Sequence, residues 1–366
     1  MRVLLDCRMA SWSGIGRYST GLARELSRTD DIELVQVIEE GATPPVEGLR
    51  HMVAHSHAFY PTGGLELARL IEEAQPDLVH CLHAPTPIPI RHPLAVTIHD
   101  LTPLRIPEVM PSVLRRTAYH WWNARAASHA GVLLANSQAT ASDIAAFFPR
   151  AASKVRVTLE AADDFSDGPV AELPASIADG GPYLLSMGNT KPHKDLPTLL
   201  RAFAQVNVRR PELRLLLAGR DVPGYALSVL GDTPASRRVS FTGHVDDPTL
   251  RALYAGAEAF VFPSRYEGFG LPPLEAMASG TPVVCSDAAS LPEVVGDAAL
   301  LFAAGDVTAA AGAILRLLDD PALRESLTSA GRERAATFTW ARTAAETVDA
   351  YRRLLRGRGV APTMQE

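Results

Sequence analysis

Short β-branched or aliphatic runs alternate with helix-spaced apolar patterns from one end of this chain to the other, and that rhythm constrains its fold more than any other feature. The strand-like runs fall at residues 3–5, 34–38, 52–54, 78–81, 95–98, 132–135 and 155–159 in the first half. In the second they fall at 183–186, 214–218, 239–242, 259–262, 283–286 and 300–302. Between them lie periodic stretches such as 16–27, 65–74, 113–128, 195–208 and 308–318. Such alternation predicts parallel sheets covered by helices on both faces. At 366 residues the chain is too long for one small core. It suits two domains of roughly 150 to 200 residues each. Its 47% hydrophobic and 21% charged content is that of an ordinary globular protein with a core to bury.

Residues 161–182 break the rhythm. They hold Asp163, Asp164, Asp167, Gly168, Pro169, Pro174, Gly180, Gly181 and Pro182, and read as an interdomain linker. The expected organisation is an N-terminal Rossmann-like domain over 1–165, a second over 166–340, and over 341–366 a C-terminal helix, then a frayed tail. Thr339 is the helix-cap candidate, followed by Trp340, Val348, Tyr351 and Leu354 at helical spacing. Doubly wound sheets bind ligands beyond the carboxyl ends of their strands, so two such domains are expected to share a cleft there.

Charge and cysteine content narrow the function classes. There are 35 basic and 41 acidic residues, a net −6 spread evenly along the chain, which argues against nucleic acid as the main partner. Cys7, Cys81 and Cys285 are odd in number and far apart, and read as reduced thiols. No apolar stretch approaches the roughly 20 residues that span a bilayer, and no signal-peptide core follows Met1. A cytoplasmic protein is expected. Among the basic residues only Lys154, Lys191 and Lys194 are lysine, and two of these share one short loop.

The densest chemistry follows the run ending at Phe262: Pro263-Ser264-Arg265-Tyr266-Glu267-Gly268-Phe269-Gly270-Leu271-Pro272-Pro273-Leu274-Glu275. A glycine turn lets a ligand approach the backbone, and proline suits the first turn of a helix, whose free N–H groups bind an anion. Taken as an isolated pair, Glu267 and Glu275 are more readily solvated carboxylates than a site. Their setting changes that reading.

The segment resembles the large family 4 of retaining glycosyltransferases with the GT-B fold, marked by a Glu-x7-Glu spacing after a strand ending in Pro-Ser. The resemblance continues through Ala278-Ser279-Gly280-Thr281-Pro282-Val283-Val284 and Leu291-Pro292-Glu293-Val294-Val295-Gly296-Asp297. It implies that Glu267 lies by the transferred sugar and that Glu275 holds the nucleotide ribose, with donor contacts at Phe269, Gly270 and Leu271. It also implies that the domain over 1–165 is the acceptor side, that the domain over 166–340 binds the nucleotide sugar, and that the helix within 341–366 crosses back to the N-terminal domain.

Further segments match the same family. Gly188-Asn189-Thr190-Lys191-Pro192-His193-Lys194-Asp195 resembles its Gly-x5-Lys loop, which implies that Lys194 neutralises the donor diphosphate beside Asn189. Positive charge there stabilises the leaving group. Relatives often carry an arginine near Asn189 or His193 as a second phosphate contact; this chain does not, and Lys191 stands as a substitute. Ser13-Gly14-Ile15-Gly16-Arg17-Tyr18 is a glycine turn aimed at a phosphate or sugar, and Gly16 matches the family's N-terminal loop. It fails the dinucleotide pattern Gly-x-Gly-x-x-Gly. His99-Asp100-Leu101-Thr102-Pro103 resembles the family's His-Asp-Leu-x-Pro segment, so His99 joins Lys194 and Glu267 as a catalytic candidate. Its competing role is that of a structural core histidine, and Asp100 either orients it or caps the turn. In Thr242-Gly243-His244-Val245 the Val245 backbone is where family members pass the nucleotide base.

Other signals are weaker. His51, His55 and His57, and His80 with His83, have spacings that admit a metal but lack supporting ligands, and no metal or cofactor is expected. The chain lacks the Asp-x-Asp motif with which other transferases hold a cation on the diphosphate. Arg115, Arg116, Tyr119, Trp121, Trp122 and Arg125 share one helical stretch; core and snorkelling roles are favoured over contact with an acceptor or with a membrane surface bearing a lipid-linked sugar.

The implied function is hexose transfer, with GDP-mannose or a related GDP-deoxyhexose favoured as donor and UDP-hexose as the alternative. The acceptor is a glycan, a lipid-linked sugar or a small molecule. An NAD-dependent oxidoreductase and a non-catalytic sugar-nucleotide sensor remain as readings from other classes.

Overall fold

A computed structural model describes all residues except 163, 164, 166, 167, 179, 221 and 359–366. Asp163, Asp164 and Asp167 of the expected linker, and the end of the expected tail, lie outside the described residues. The chain divides into two compact units: Met1–Ala161 with Thr339–Glu366, and Ala162–Phe338.

Unit 1 is built on a parallel seven-stranded sheet in the order β3-β2-β1-β4-β5-β6-β7. The strands are β1 (Arg2–Asp6), β2 (Glu33–Glu39), β3 (His51–Ala54), β4 (Leu78–Cys81), β5 (Leu94–Ile98), β6 (Val132–Ala135) and β7 (Val155–Val157). Every residue of β4, β5 and β6 is buried. A strand covered on both faces has no polar side to show, so these segments are mostly aliphatic, with His80 and Thr97 as their polar members. Leu4, Val37, Leu67, Val79, Val96 and Leu133 belong to one shared core. Helix Trp340–Arg358 completes the unit, burying Trp340, Val348 and Tyr351. Thr339 caps it, its Oγ1 accepting from Arg342 N at 3.2 Å.

Unit 2 holds a parallel six-stranded sheet in the order β10-β9-β8-β11-β12-β13. Its strands are β8 (Tyr183–Met187), β9 (Arg214–Ala218), β10 (Val239–Phe241), β11 (Ala259–Phe262), β12 (Val283–Ser286) and β13 (Ala299–Phe302). Leu184, Leu199, Phe203, Leu215, Val261 and Ile314 share its core. Within the expected linker, Phe165 is buried under the Arg251 guanidinium, 4.7 Å from its ring centroid, so this part of the segment packs as unit 2.

Strand order reverses between β1 and β4 in unit 1 and between β8 and β11 in unit 2. At such a switch point the connections leave in opposite directions and open a crevice at the carboxyl ends of the two strands. In unit 2 these are the ends that carry Gly188–Asp195 and Pro263–Leu271 in the sequence. Among the described residues no helix is long and apolar enough to cross a membrane.

Candidate functional site

The adjacency of β8 and β11 brings two distant segments together. After β8 the chain makes a short 3₁₀ turn, Pro192–Lys194, which ends at Asp195 in a left-handed conformation (φ 46°) and passes into helix Leu196–Arg209. Lys194 Nζ donates to both carboxylate oxygens of Glu267, at 2.7 and 3.0 Å, across 73 residues of sequence. The two side chains are 17% and 12% exposed, so the pair is largely shielded from water. Beneath it the Phe262 ring centroid lies 5.3 Å from Nζ, adding a cation–π attraction. The backbone ties the loops too: Arg265 N donates to His193 O at 2.7 Å.

The turn leading into helix Leu271–Ala278 is pinned from behind. Ser290 Oγ, fully buried, donates to Glu267 O at 3.0 Å and also contacts Phe269 O. Phe269 is buried against Phe338 with centroids 5.9 Å apart. Gly270 adopts φ 118°, and a Cβ there would meet Leu291 at 2.9 Å, so only glycine suits the position. Pro272 and Pro273 have no N–H, which leaves the amides of Gly270 and Leu271 as the donors at the very start of this helix. Glu275, one turn in, is buried, and the Tyr254 hydroxyl lies 3.3 Å from both its Oε2 and Pro272 O.

Lys194, Glu267, Phe269, Gly270, Leu271 and Glu275 thus gather on two neighbouring connections of unit 2. Asn189 stands in the same β8 connection, but its Oδ1 accepts from Lys191 N at 3.0 Å and so shapes the loop. Val245, half-buried, follows β10, two strands away from β8 in the sheet. The supports Tyr254 and Ser290 escaped the sequence reading because each lies outside the motifs and joins the site through the fold.

Gly16 and His99 belong to unit 1. Gly16 sits in helix Ser13–Ser27, where a Cβ would lie 2.3 Å from Ala10 O; the β1 connection passes too close for any side chain. His99 follows β5 with both ring nitrogens engaged: Nδ1 lies 3.2 Å from Glu160 Oε1 and Nε2 lies 2.9 Å from Leu82 O. A carboxylate and a carbonyl only accept, so a positively charged ring with both nitrogens protonated satisfies both contacts. Burial opposes that charge, but the hydrogen bond and charge of Glu160 outweigh it and hold the His99 pKa above its usual value. Asp100 Oδ1 accepts from Thr102 N at 2.8 Å and caps the turn.

Of the other histidines, His55 pairs with Glu40 at 3.0 Å, while His80 bonds Tyr351 and Thr97. Among the described residues no three His, Cys, Asp or Glu side chains are placed to hold a metal.

Comparison with known proteins agrees with this architecture. Residues 12–162 match the family model described as Glycosyltransferase Family 4, and residues 174–334 match the model Glycosyl transferases group 1. The chain is 34% identical to the O-antigen chain mannosyltransferase B of Escherichia coli, over 93% of this chain and 96% of that protein. Among solved structures, a sucrose-phosphate synthase from Thermosynechococcus elongatus superposes with a TM-score of 0.80 at 22% identity, covering 98% of this chain and 100% of that one. The Anabaena HepE protein in complex with UDP gives 0.71 at 19% identity, covering 96% and 99%. Both likenesses concern the fold, which is GT-B.

Proposed function

Because the chain belongs to glycosyltransferase family 4, we propose that it is a retaining, metal-independent hexosyltransferase that takes its sugar from a nucleoside diphosphate. The observation that carries this reading is the contact between Lys194 and Glu267, in which the cation of one motif meets the carboxylate of another on neighbouring loops. Lys194 takes the donor diphosphate, aided by the amides of Gly270 and Leu271 at a helix start. Glu267 then lies by the transferred sugar, and Glu275 accepts from the ribose hydroxyls. Asn189 and the Val245 backbone extend the donor contacts toward the phosphates and the base, and Phe269 packs the turn between the two glutamates.

Separation of a diphosphate from a cationic sugar sets the barrier, so fixed positive charge at the leaving oxygens is what accelerates the step. The bond from the anomeric carbon to the phosphate oxygen breaks. The acceptor hydroxyl oxygen forms its bond on the same face, and its proton passes to the departing phosphate. In this reading His99, its pKa raised by Glu160, supplies positive charge rather than a base, since Glu160 and Leu82 already engage both ring nitrogens. The Gly16 turn is proposed as a binding turn for phosphate or sugar in unit 1.

GDP-mannose is favoured as donor over UDP-hexose, on the strength of the mannosyltransferase named above. A glycan or lipid-linked sugar is the corresponding acceptor, with the protein at work in the cytoplasm or at the inner face of the membrane. Replacing Lys194 or Glu275 with alanine is expected to lower transfer by about tenfold or more. Near-normal turnover of either purified variant would refute the assignment, and tighter binding of UDP than of GDP would overturn the donor choice.

A further inference from the structure

Unit 1 places several of its largest aromatic side chains in solvent. Trp12, just before helix Ser13–Ser27, is 50% exposed, and Tyr60, just before helix Pro61–Ala74, is 63% exposed. Core packing does not account for them. Trp12 follows β1 and Tyr60 follows β3, and all strands of this sheet run parallel, so both rings stand at the ligand-binding edge of the sheet. The rings form a chain. Trp12 and Phe59 have centroids 6.4 Å apart at 36°, Phe59 and His57 6.0 Å apart at 34°, and His57 and Tyr60 5.2 Å apart at 47°.

The loop that carries three of these rings is anchored where it runs into helix Pro61–Ala74. Trp122 Nε1 donates to Phe59 O at 3.1 Å. From the switch point, an Arg8 guanidinium nitrogen donates to Gly63 O at 3.0 Å. Arg8 is itself locked by two 2.7 Å bonds to Asp6, and both side chains are buried. Burial would raise the Asp6 carboxyl, but the charges of Arg8 and His83 hold it well below the usual carboxylate range, so this anchor stays ionised. These bonds fix the backbone from which the loop's rings project. Phe59 N donates to His57 Nδ1 at 3.3 Å, which makes Nδ1 the acceptor and leaves the proton on Nε2.

We propose that Trp12, Phe59 and Tyr60, with the Nε2–H of His57, form a stacking platform for a hexopyranose ring of the acceptor glycan. A pyranose has an apolar face of C–H groups and a rim of hydroxyls. A fan of tilted aromatic faces with one ring N–H donor complements both features. The platform deepens the transferase reading and rests on it for calling the bound sugar an acceptor.

Two measurements test it. In titration with α-mannotriose, the Trp12 indole N–H signal, identified by its loss in Trp12→Phe, should shift. Trp12→Ala and Tyr60→Ala should each weaken binding about tenfold, while Trp12→Phe, which keeps an aromatic face, should retain most of it. In the transfer assay the same alanine variants should raise the acceptor KM about tenfold with little change in kcat. Val208→Ser, at an exposed residue of unit 2, serves as the control with wild-type acceptor KM. An acceptor KM that neither alanine variant moves overturns the platform and leaves the transferase reading standing. Mannotriose binding through Trp12, in a protein that transfers from no nucleotide sugar, does the reverse. If Trp12 responds to phosphatidylglycerol vesicles and not to mannotriose, the aromatics serve a lipid surface and the proposal fails.

Discussion

Two histidines of unit 1 are pushed in opposite directions by their partners. His99, largely buried, faces two acceptors that raise its pKa. His80 lies between the hydroxyls of Tyr351 and Thr97, either of which can donate or accept, so a neutral ring is satisfied there. Burial, reinforced by the charges of His99 and His83, pulls the His80 pKa down to about 3. An unfolded chain takes up a proton at His80 below about pH 6.5, whereas the native state refuses it until far lower. The unfolded state then binds more protons, so stability falls as pH drops from about 6.5 toward 3, with a slope that approaches 1.4 kcal/mol per pH unit for this one group. His99 acts at the other end, its contribution being full below about pH 6.5 and lost as pH rises through its raised pKa. His80→Gln is expected to flatten the acid limb of a stability–pH curve measured by denaturant titration. An unchanged slope near pH 5 would show that His80 is not the group responsible.

At the level of elements, helix Trp340–Arg358 packs so closely on helix Ser13–Ser27 that a Cβ at Gly21 would sit 2.3 Å from atoms of the Trp340 ring. In an exposed helix, Gly→Ala adds about 1 kcal/mol of stability through propensity. Here overpacking of about 1–3 kcal/mol outweighs it, so Gly21→Ala is expected to lower the Tm of unit 1. A rise in Tm would mean that the two helices slide apart at little cost. Strands were the most legible elements, because a buried parallel strand such as β6 or β11 is an uninterrupted apolar run whose limits show directly. Helix Pro321–Ala335 lacked that clarity: it buries just Leu327, Gly331 and Ala335 and is otherwise rich in charge. Its stronger sign was the cap at Asp320, whose Oδ1 accepts from Leu323 N at 3.0 Å. For the candidate site, the residue types at Lys194 and Glu267 were legible from local pattern. Their contact was not, since it depends on β11 choosing β8 as a neighbour. The raised pKa of His99 likewise depends on Glu160, which lies 61 residues further along and outside the motif.

At the scale of the whole molecule, unit 1 is discontinuous, whereas unit 2 is one unbroken segment, Ala162–Phe338. A chain that stops at Phe338 keeps all of unit 2 but strips Tyr351 from His80 and Trp340 from Tyr18. Two melting transitions are expected to respond unequally, that of unit 1 falling sharply and that of unit 2 holding; equal loss of both would contradict the division. The same discontinuity imposes an order on synthesis. A ribosome delivers residues 1–161 before unit 2, yet the helix that seals them is made after it. At about 5–20 residues per second, the interval spent on unit 2 is roughly ten to thirty-five seconds. For that time the nascent N-terminal sheet carries an uncovered apolar seam. The half begun first is the half finished last, which gives chaperones a defined stretch of newborn chain to guard.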